Sequence, residues 1–265
     1  MGSISFEAVN KVFGSRANGV KALDDIHLDS ADKEFVVIGG PSGCGKTTCL
    51  RMVAGFEAAS SGVVAVNGKA VTSPGPDRAV VFQQFALFPW KSVRDNIDLG
   101  LRNKGLPKAE RLDLVSGALK LMNLESHADA FPHQLSGGMQ QRVAIARAYV
   151  LDPEVLLMDE PFGALDAQTR VVMQEELVRL ARVNPRTVLF ITHAVEEAVY
   201  LADRVAIMTR RPGRIKEVLD VRAIRESDNW DRFPKIEDVM DRESFVQLRT
   251  HIWKSLREEK GAHGV

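Results

Sequence analysis

The stretch GPSGCGKTT fits the pattern G-x-x-x-x-G-K-[ST], with Gly40, Gly45, Lys46 and Thr47 at its fixed positions. Glycines leave backbone N–H groups free to close around a phosphate, a lysine brings a point charge to the outer phosphate oxygens of a nucleotide, and a threonine hydroxyl is a ligand for Mg²⁺. Pro41, Ser42, Gly43 and Cys44 fill the span and Thr48 follows it, so residues 40–48 are predicted to form one phosphate cradle. Cys44, beside a helix start, is predicted to have its thiolate favoured. In VLLMDEP an apolar run ends on Asp159 and Glu160. Asp159 is placed to hold Mg²⁺ through water, and Glu160 to align and deprotonate an attacking water. A second phosphate-suited helix start is written in HQLSGGMQQRVAIARAY, where Ser136, Gly137 and Gly138 precede a helical pattern. The plain alternatives are a glycine turn ahead of a lysine and a strand ending in two solvated acids. The apolar run before the cradle and the helical run after it favour chemistry.

Groups of this kind need a rigid frame. EFVVIG, EVLLMD and TVLFIT are short, nearly continuous apolar runs, each followed by a loop and a helical pattern. That is how central strands of a parallel sheet covered on both faces read, so the predicted class is α/β. SISFEAV and ALDDIHLDS alternate as half-buried strands do, and GVVAVNGKAV carries a hairpin signal at Asn67-Gly68. These pieces predict a small antiparallel sheet near the N-terminus. Residues 92–150 are mostly helical by period, with breaks at Gly105, Pro107 and Pro132, and read as a helical insert. A polar tail begins at residue 211. Within it, residues 241–259 place Phe245, Leu248, Ile252 and Leu256 on one helical face, which favours a helix packed on its own domain over a regulatory or partner-binding one. The expected division is therefore 1–210, with 92–150 as its helical part, and 211–265.

Composition excludes several classes. With 265 residues, 45% apolar and 26% charged, the chain suits one large soluble domain or one domain with subdomains. Lys+Arg and Asp+Glu stand at 35 each, so no basic field favours nucleic acid. No apolar run approaches the ~18 residues of a membrane span, and MGSISFEAVNK lacks the features of a signal peptide, so the chain is expected to stay in the compartment where it is made. Its two cysteines, Cys44 and Cys49, lie in the cradle region, which fits a reducing cytosol better than a disulfide framework.

With GPSGCGKTT, LSGGMQQR and LLMDEP in this order and spacing, the chain resembles the ATP-binding subunits of ABC transporters over roughly residues 4–210. The resemblance implies the P-loop NTPase ABC fold: a parallel-sheet core, an N-terminal antiparallel β subdomain and a helical subdomain. It also implies ATP and Mg²⁺. LSGGMQQR resembles the family's signature, which caps the γ-phosphate of ATP held by a second subunit's cradle, head to tail. Ser136, Gly137 and Gly138 would then act across a dimer. Gln83 in VVFQQFALFPW resembles the glutamine that reaches Mg²⁺ and the attacking water. The following FALFPW resembles the surface that receives a helix from the membrane subunit, with a buried strand end as the plain alternative. Asp166 in GALD resembles the aspartate that communicates between the two sites, and His193, closing TVLFIT, the switch histidine on the γ-phosphate. Phe13 in VNKVFG resembles the aromatic that stacks on adenine, often tyrosine in the family; a core phenylalanine is the competing reading.

Within the family, FQQFALFPW, GGMQQR and MTRRPGRI look most like the branch serving nitrate, sulfonate, taurine and bicarbonate importers. DVRAIRESDNWDRFP departs from the proline-rich stretch often found there, and the tail is too short for the barrel domain of some sugar-importer ATPases. The branch implies an ATPase on the cytoplasmic face of the plasma membrane, partnered by a second copy, by transmembrane permease subunits and, indirectly, by a periplasmic or extracellular substrate-binding protein. An exporter ATPase would use the same motifs and stands as the alternative. A soluble ABC ATPase of DNA repair or translation would need a coiled-coil insert or tandem halves, and a non-enzymatic scaffold would be expected to lack Glu160 or His193.

Overall fold

The computed structural model describes residues 2–14, 18–233 and 235–261. In chain order its strands are β1 (Ile4–Phe13), β2 (Val20–Ser30), β3 (Phe35–Gly39), β4 (Ser61–Val66), β5 (Lys69–Ala70), β6 (Arg78–Val81), β7 (Val155–Asp159), β8 (Thr187–Thr192), β9 (Arg204–Met208) and β10 (Ile215–Asp220). The helices are α1 (Lys46–Ala54), α2 (Val93–Leu101), α3 (Lys108–Leu121), α4 (Gly137–Tyr149), α5 (Ala167–Val183), α6 (Val195–Leu201), α7 (Val221–Ser227), α8 (Ile236–Met240) and α9 (Glu243–Gly261).

Every residue of β3 and β8 is buried, as the continuous apolar runs require. They lie side by side in a six-stranded sheet of order β10-β9-β3-β8-β7-β6, in which β6 to β9 and β3 run parallel and β10 is an antiparallel edge. A second, four-stranded antiparallel sheet has the order β2-β1-β4-β5. Its β4–β5 turn is the predicted one, with Asn67 and Gly68 both at positive φ. One core fills the space between the two sheets around α1, and the other lies on the opposite face of the parallel sheet under α2 to α6. Residues 92–150 form α2, α3 and α4, which pack on one another.

The polar tail does not stay outside this frame. Residue 210 falls between β9 and β10, and β10 extends the sheet by pairing Ile215 with Met208 and Asp220 with Arg204. On α9, Phe245, Leu248 and Ile252 are buried and Leu256 partly so, packed towards α6, α8 and β9. Trp230 lies 5.6 Å from Phe245, ring centre to ring centre. Ser255 donates to Glu217 of β10 at 2.6 Å, and His251 Nε2 lies 2.9 Å from the same carboxylate. Phe245→Ala is therefore expected to lower unfolding stability by about 3–5 kcal/mol, the usual range for emptying a packed phenylalanine site. Urea unfolding checks this; a loss below about 1 kcal/mol would mean that α9 is not part of the cooperative unit.

Candidate functional site

The cradle is built by a turn only glycine can make. Gly45 caps α1 at φ 110°, and a Cβ there would lie 2.4 Å from Leu23 Cδ2. No side chain caps α1, which leaves N–H groups of its first turn available to a ligand. Lys46 Nζ donates to the carbonyls of Gly40 (2.8 Å) and Pro41 (3.0 Å), which hold its charge over the loop. Gly43, Gly45, Thr47, Thr48, Glu160 and Phe13 line a cleft of about 470 Å³. Phe13, at the end of β1, is 42% exposed with the Lys11 ammonium 4.8 Å from its ring centre. It is a wall of the cleft and not a core residue.

Two carboxylates face this cradle from the end of β7. Thr47 Oγ1 donates to Asp159 Oδ1 at 3.1 Å. Burial pushes the Asp159 carboxyl above the usual carboxylate range, with the Thr47 hydroxyl opposing it. Their oxygens come from two elements and offer a hard cation two protein ligands, the usual share for Mg²⁺, which takes its remaining ligands from phosphates and water. Among the described residues no group of three or more His, Cys, Asp or Glu forms a cage of its own.

Glu160 adopts φ 46°, a left-handed conformation that costs a non-glycine residue about 1–2 kcal/mol. Its N–H donates to Ile191 O at 2.9 Å, and its Oε2 lies 3.0 Å from Nδ1 of His193. Parallel pairing of Asp159 with Ile191 sets the two strand ends level, which brings this pair together. The loop of His193 is pinned in turn: Thr192 Oγ1 donates to Glu197 at 2.6 Å and accepts from Ala194 N at 2.9 Å. Sequence reasoning missed Thr192 and Glu197; the available signal was an acid in the first turn of the helix after THA. Gln83 follows β6, and a Cβ on Gly163 would lie 3.3 Å from its Nε2, so it stands beside the loop that leaves Glu160.

Ser136, Gly137 and Gly138 are elsewhere. Ser136 caps α4, accepting from Met139 N at 3.3 Å. A Cβ on Gly138 would strike Thr169 Cγ2 at 2.5 Å, whereas one on Gly137 meets only Leu165, at 3.5 Å. Asp166 caps α5, accepting from Thr169 N (2.9 Å) and Thr169 Oγ1 (2.7 Å), and these bonds hold its carboxyl below the usual range. The hollow beside Ser136 and Gly138, about 310 Å³, shares no residue with the cradle cleft.

Two expectations are settled by burial. Cys44 is 1% exposed, and desolvation pushes its thiol up despite the helix start and Lys46; Cys49 is pushed to about 12. The favoured thiolate is thus corrected, because Cys44 belongs to the core between the sheets. Native protein at neutral pH is expected to take up maleimide far more slowly than a thiol in a short peptide, as mass spectrometry would record; rapid stoichiometric labelling would contradict the buried placement. FALFPW is no buried strand end. Phe88 and Trp90 meet edge to face with ring centres 5.7 Å apart, Trp90 is 71% exposed, and Arg147 holds the loop by donating to Ala86 O (2.8 Å) and Phe85 O (3.1 Å).

The pattern of the family described as ABC transporter matches residues 23–163. An uncharacterized ABC transporter ATP-binding protein of Methanocaldococcus jannaschii, MJ0412, is 48% identical over 255 residues, 96% of this chain and 94% of the relative. The taurine import ATP-binding protein TauB of Rhizobium johnstonii is 46% identical over 236 residues, 88% of each chain. The nitrate import ATP-binding protein NrtD of Synechococcus elongatus is 44% identical over 252 residues, 94% of this chain and 89% of the relative. Among solved structures, the dimeric post-hydrolysis state of the ATP-binding cassette MJ0796 bound to ADP and Pi superposes with a TM-score of 0.71 at 30% identity, covering 82% of this chain and 98% of that one.

Proposed function

Because the chain belongs to the ABC transporter family as an ATP-binding subunit, an ATPase coupled to transport, we propose that it energises import of a small anion or organic solute through separate permease subunits. The nitrate and taurine import relatives support a solute of the nitrate, sulfonate, taurine or bicarbonate kind. We place it on the cytoplasmic face of the membrane, with a substrate-binding protein delivering solute to the far side. Residues 1–210 would carry ATP hydrolysis, 92–150 as their helical part, and 211–265 would brace them. The exposed FALFPW loop would receive the permease.

The observation that carries the hydrolytic reading is Glu160 at 3.0 Å from His193, beside the Thr47–Asp159 pair and the Lys46 cradle. N–H groups of residues 40–48 and the Lys46 ammonium would bind the phosphates, with the Phe13 ring against adenine. Thr47 and Asp159 would hold Mg²⁺, with Gln83 approaching it from β6. When bound, the ion neutralises charge on the outer phosphate oxygens. Glu160 would accept the proton of the attacking water, and His193, with its Nδ1 at Glu160, would present its other ring nitrogen towards the γ-phosphate. Ser136, Gly137 and Gly138 of a second copy would close the site, consistent with the dimeric cassette it resembles.

Direction is tested by reconstitution with a partner permease in liposomes. ATP supplied on the side of this subunit is expected to draw labelled taurine, nitrate, an alkyl sulfonate or bicarbonate from the opposite side. ATP-driven movement the other way would make the assembly an exporter.

A further inference from the structure

The phosphate cradle has a second cleft on its other side. It measures about 720 Å³ and runs between Pro41, the loop of His193 and Val195, and three residues of α9: Trp253, Leu256 and Arg257. Ser42 is the single residue it shares with the nucleotide cleft. A basic hollow of about 370 Å³ continues it past Trp253, adding Arg249 and Lys254. Trp253 is 57% exposed. Its indole stands at the junction of an apolar end and a cationic end.

The two faces of α9 differ in how their charges are met. On the side towards β10, His251 and Ser255 meet Glu217, and Glu258 and Glu259 meet Lys216. Along the cleft, Arg249, Lys254 and Arg257 have no acidic partner within ion-pair distance among the described residues, and the one acid on the rim is Glu196. An aromatic face beside apolar walls and a surplus of unpaired cations suits one kind of ligand. We propose that this cleft binds an amphiphilic organic anion, its apolar body against Trp253, Leu256 and Val195 and its sulfonate or carboxylate at Arg257 and Arg249. The volume lies in the range of small-molecule sites. Since the opposite wall carries His193, an occupant restrains that loop and slows hydrolysis without entering the nucleotide cleft. This last effect rests on the hydrolytic role given to His193 above; the binding does not.

Binding is measured on the full chain without nucleotide, using the fluorescence of anilinonaphthalene sulfonate with decanesulfonate as competitor. One saturable site is expected, displaced by decanesulfonate and not by sulfate or decyltrimethylammonium. Trp253→Ala and Arg257→Glu are each expected to weaken it by about tenfold or more, a factor that corresponds to the loss of one good contact, with circular dichroism and thiol-labelling rate unchanged. Competition by phosphatidylglycerol vesicles would identify the occupant as a membrane lipid, and its absence as a free solute. No saturable site, or equal affinity in wild type and both variants, overturns the proposal. So does a weaker dimer in Trp253→Ala with no site for the sulfonate, which would give the cleft to a second copy. Decanesulfonate is expected to lower wild-type ATP hydrolysis and leave Trp253→Ala unaffected at matched concentrations. Unchanged wild-type hydrolysis at saturation overturns the effect on His193, and nucleotide binding that fails in every variant and in wild type indicts the ATPase reading instead.

Discussion

Glu160→Gln retains ATP binding and loses hydrolysis by on the order of 10²–10⁴-fold, the usual contribution of a positioned general base. The amide keeps the size of the carboxylate and can still face His193 Nδ1 across the 3.0 Å gap. It cannot take a proton from water. Nothing in the phosphate cradle changes, because Lys46 is held by the carbonyls of Gly40 and Pro41 and Thr47 by Asp159. Binding of a fluorescent ATP analogue should therefore match wild type while turnover collapses, and the ATP-bound dimer should persist long enough for sedimentation to detect it. Near-normal turnover of the purified variant would remove Glu160 from the role of base.

Lys46→Ala and Gly137→Asp are each expected to be inactive alone and to restore one ATP site when combined as a heterodimer. Within one chain the cradle and the Ser136–Gly138 hollow share no residue, so under the proposed shared site each would need its counterpart from a second copy. The proposed head-to-tail dimer would join the cradle of one copy to the Gly137 region of the other. Lys46→Ala removes the charge that, in the proposed site, would meet the phosphates. Gly137→Asp puts a carboxylate where the γ-phosphate would arrive, and the fold accepts it, since a Cβ at that position meets only Leu165 at 3.5 Å. Gly138 would be a poor choice, because Thr169 stands 2.5 Å from its would-be Cβ and any loss could be blamed on α5. The heterodimer of the two variants holds one intact pair of halves and one doubly broken pair. A heterodimer of wild type with the Lys46→Ala, Gly137→Asp double variant holds two sites, each half broken. ATP occlusion should return in the first, to about half the wild-type stoichiometry, and stay at background in the second. Occlusion is the better readout, because coupling between sites can silence turnover even where one site is whole. Equal behaviour of the two verified heterodimers would show that Gly137 does not act across the dimer.

The chemistry-bearing segments were legible because their strands are buried on both faces. FVVIG, VLLMD and TVLFIT sit in the middle of the sheet, where continuous apolar runs are forced, and each delivers its polar residues at its carboxyl end. The edge strand β10 was hidden for the opposite reason. IKEVLD alternates between half-buried and exposed positions and reads as part of a polar tail until its pairing with β9 is seen. Cys44 shows a second limit: position beside a helix start argued for a thiolate, and only the three-dimensional path of the loop shows that its sulfur points into the core. The exposure of FALFPW and the contact between Glu160 and His193 are likewise products of pairing between distant segments. No local pattern encodes them.

The backbone of Glu160 sets two demands of the molecule against each other. At φ 46° this position favours glycine or asparagine on conformational grounds alone, and the proposed role of base would be what holds a glutamate there. If Glu160 is the base proposed above, catalytic competence and thermal robustness pull in opposite directions at a single residue. A descendant relieved of the need to hydrolyse ATP would gain stability by drifting to glycine here, while β7, buried up to Met158, and its fully buried neighbour β8 would keep the fold unchanged. Loss of function along such a lineage would then be accompanied by a more heat-resistant protein, and the glutamate itself would be the mark of a subunit still at work.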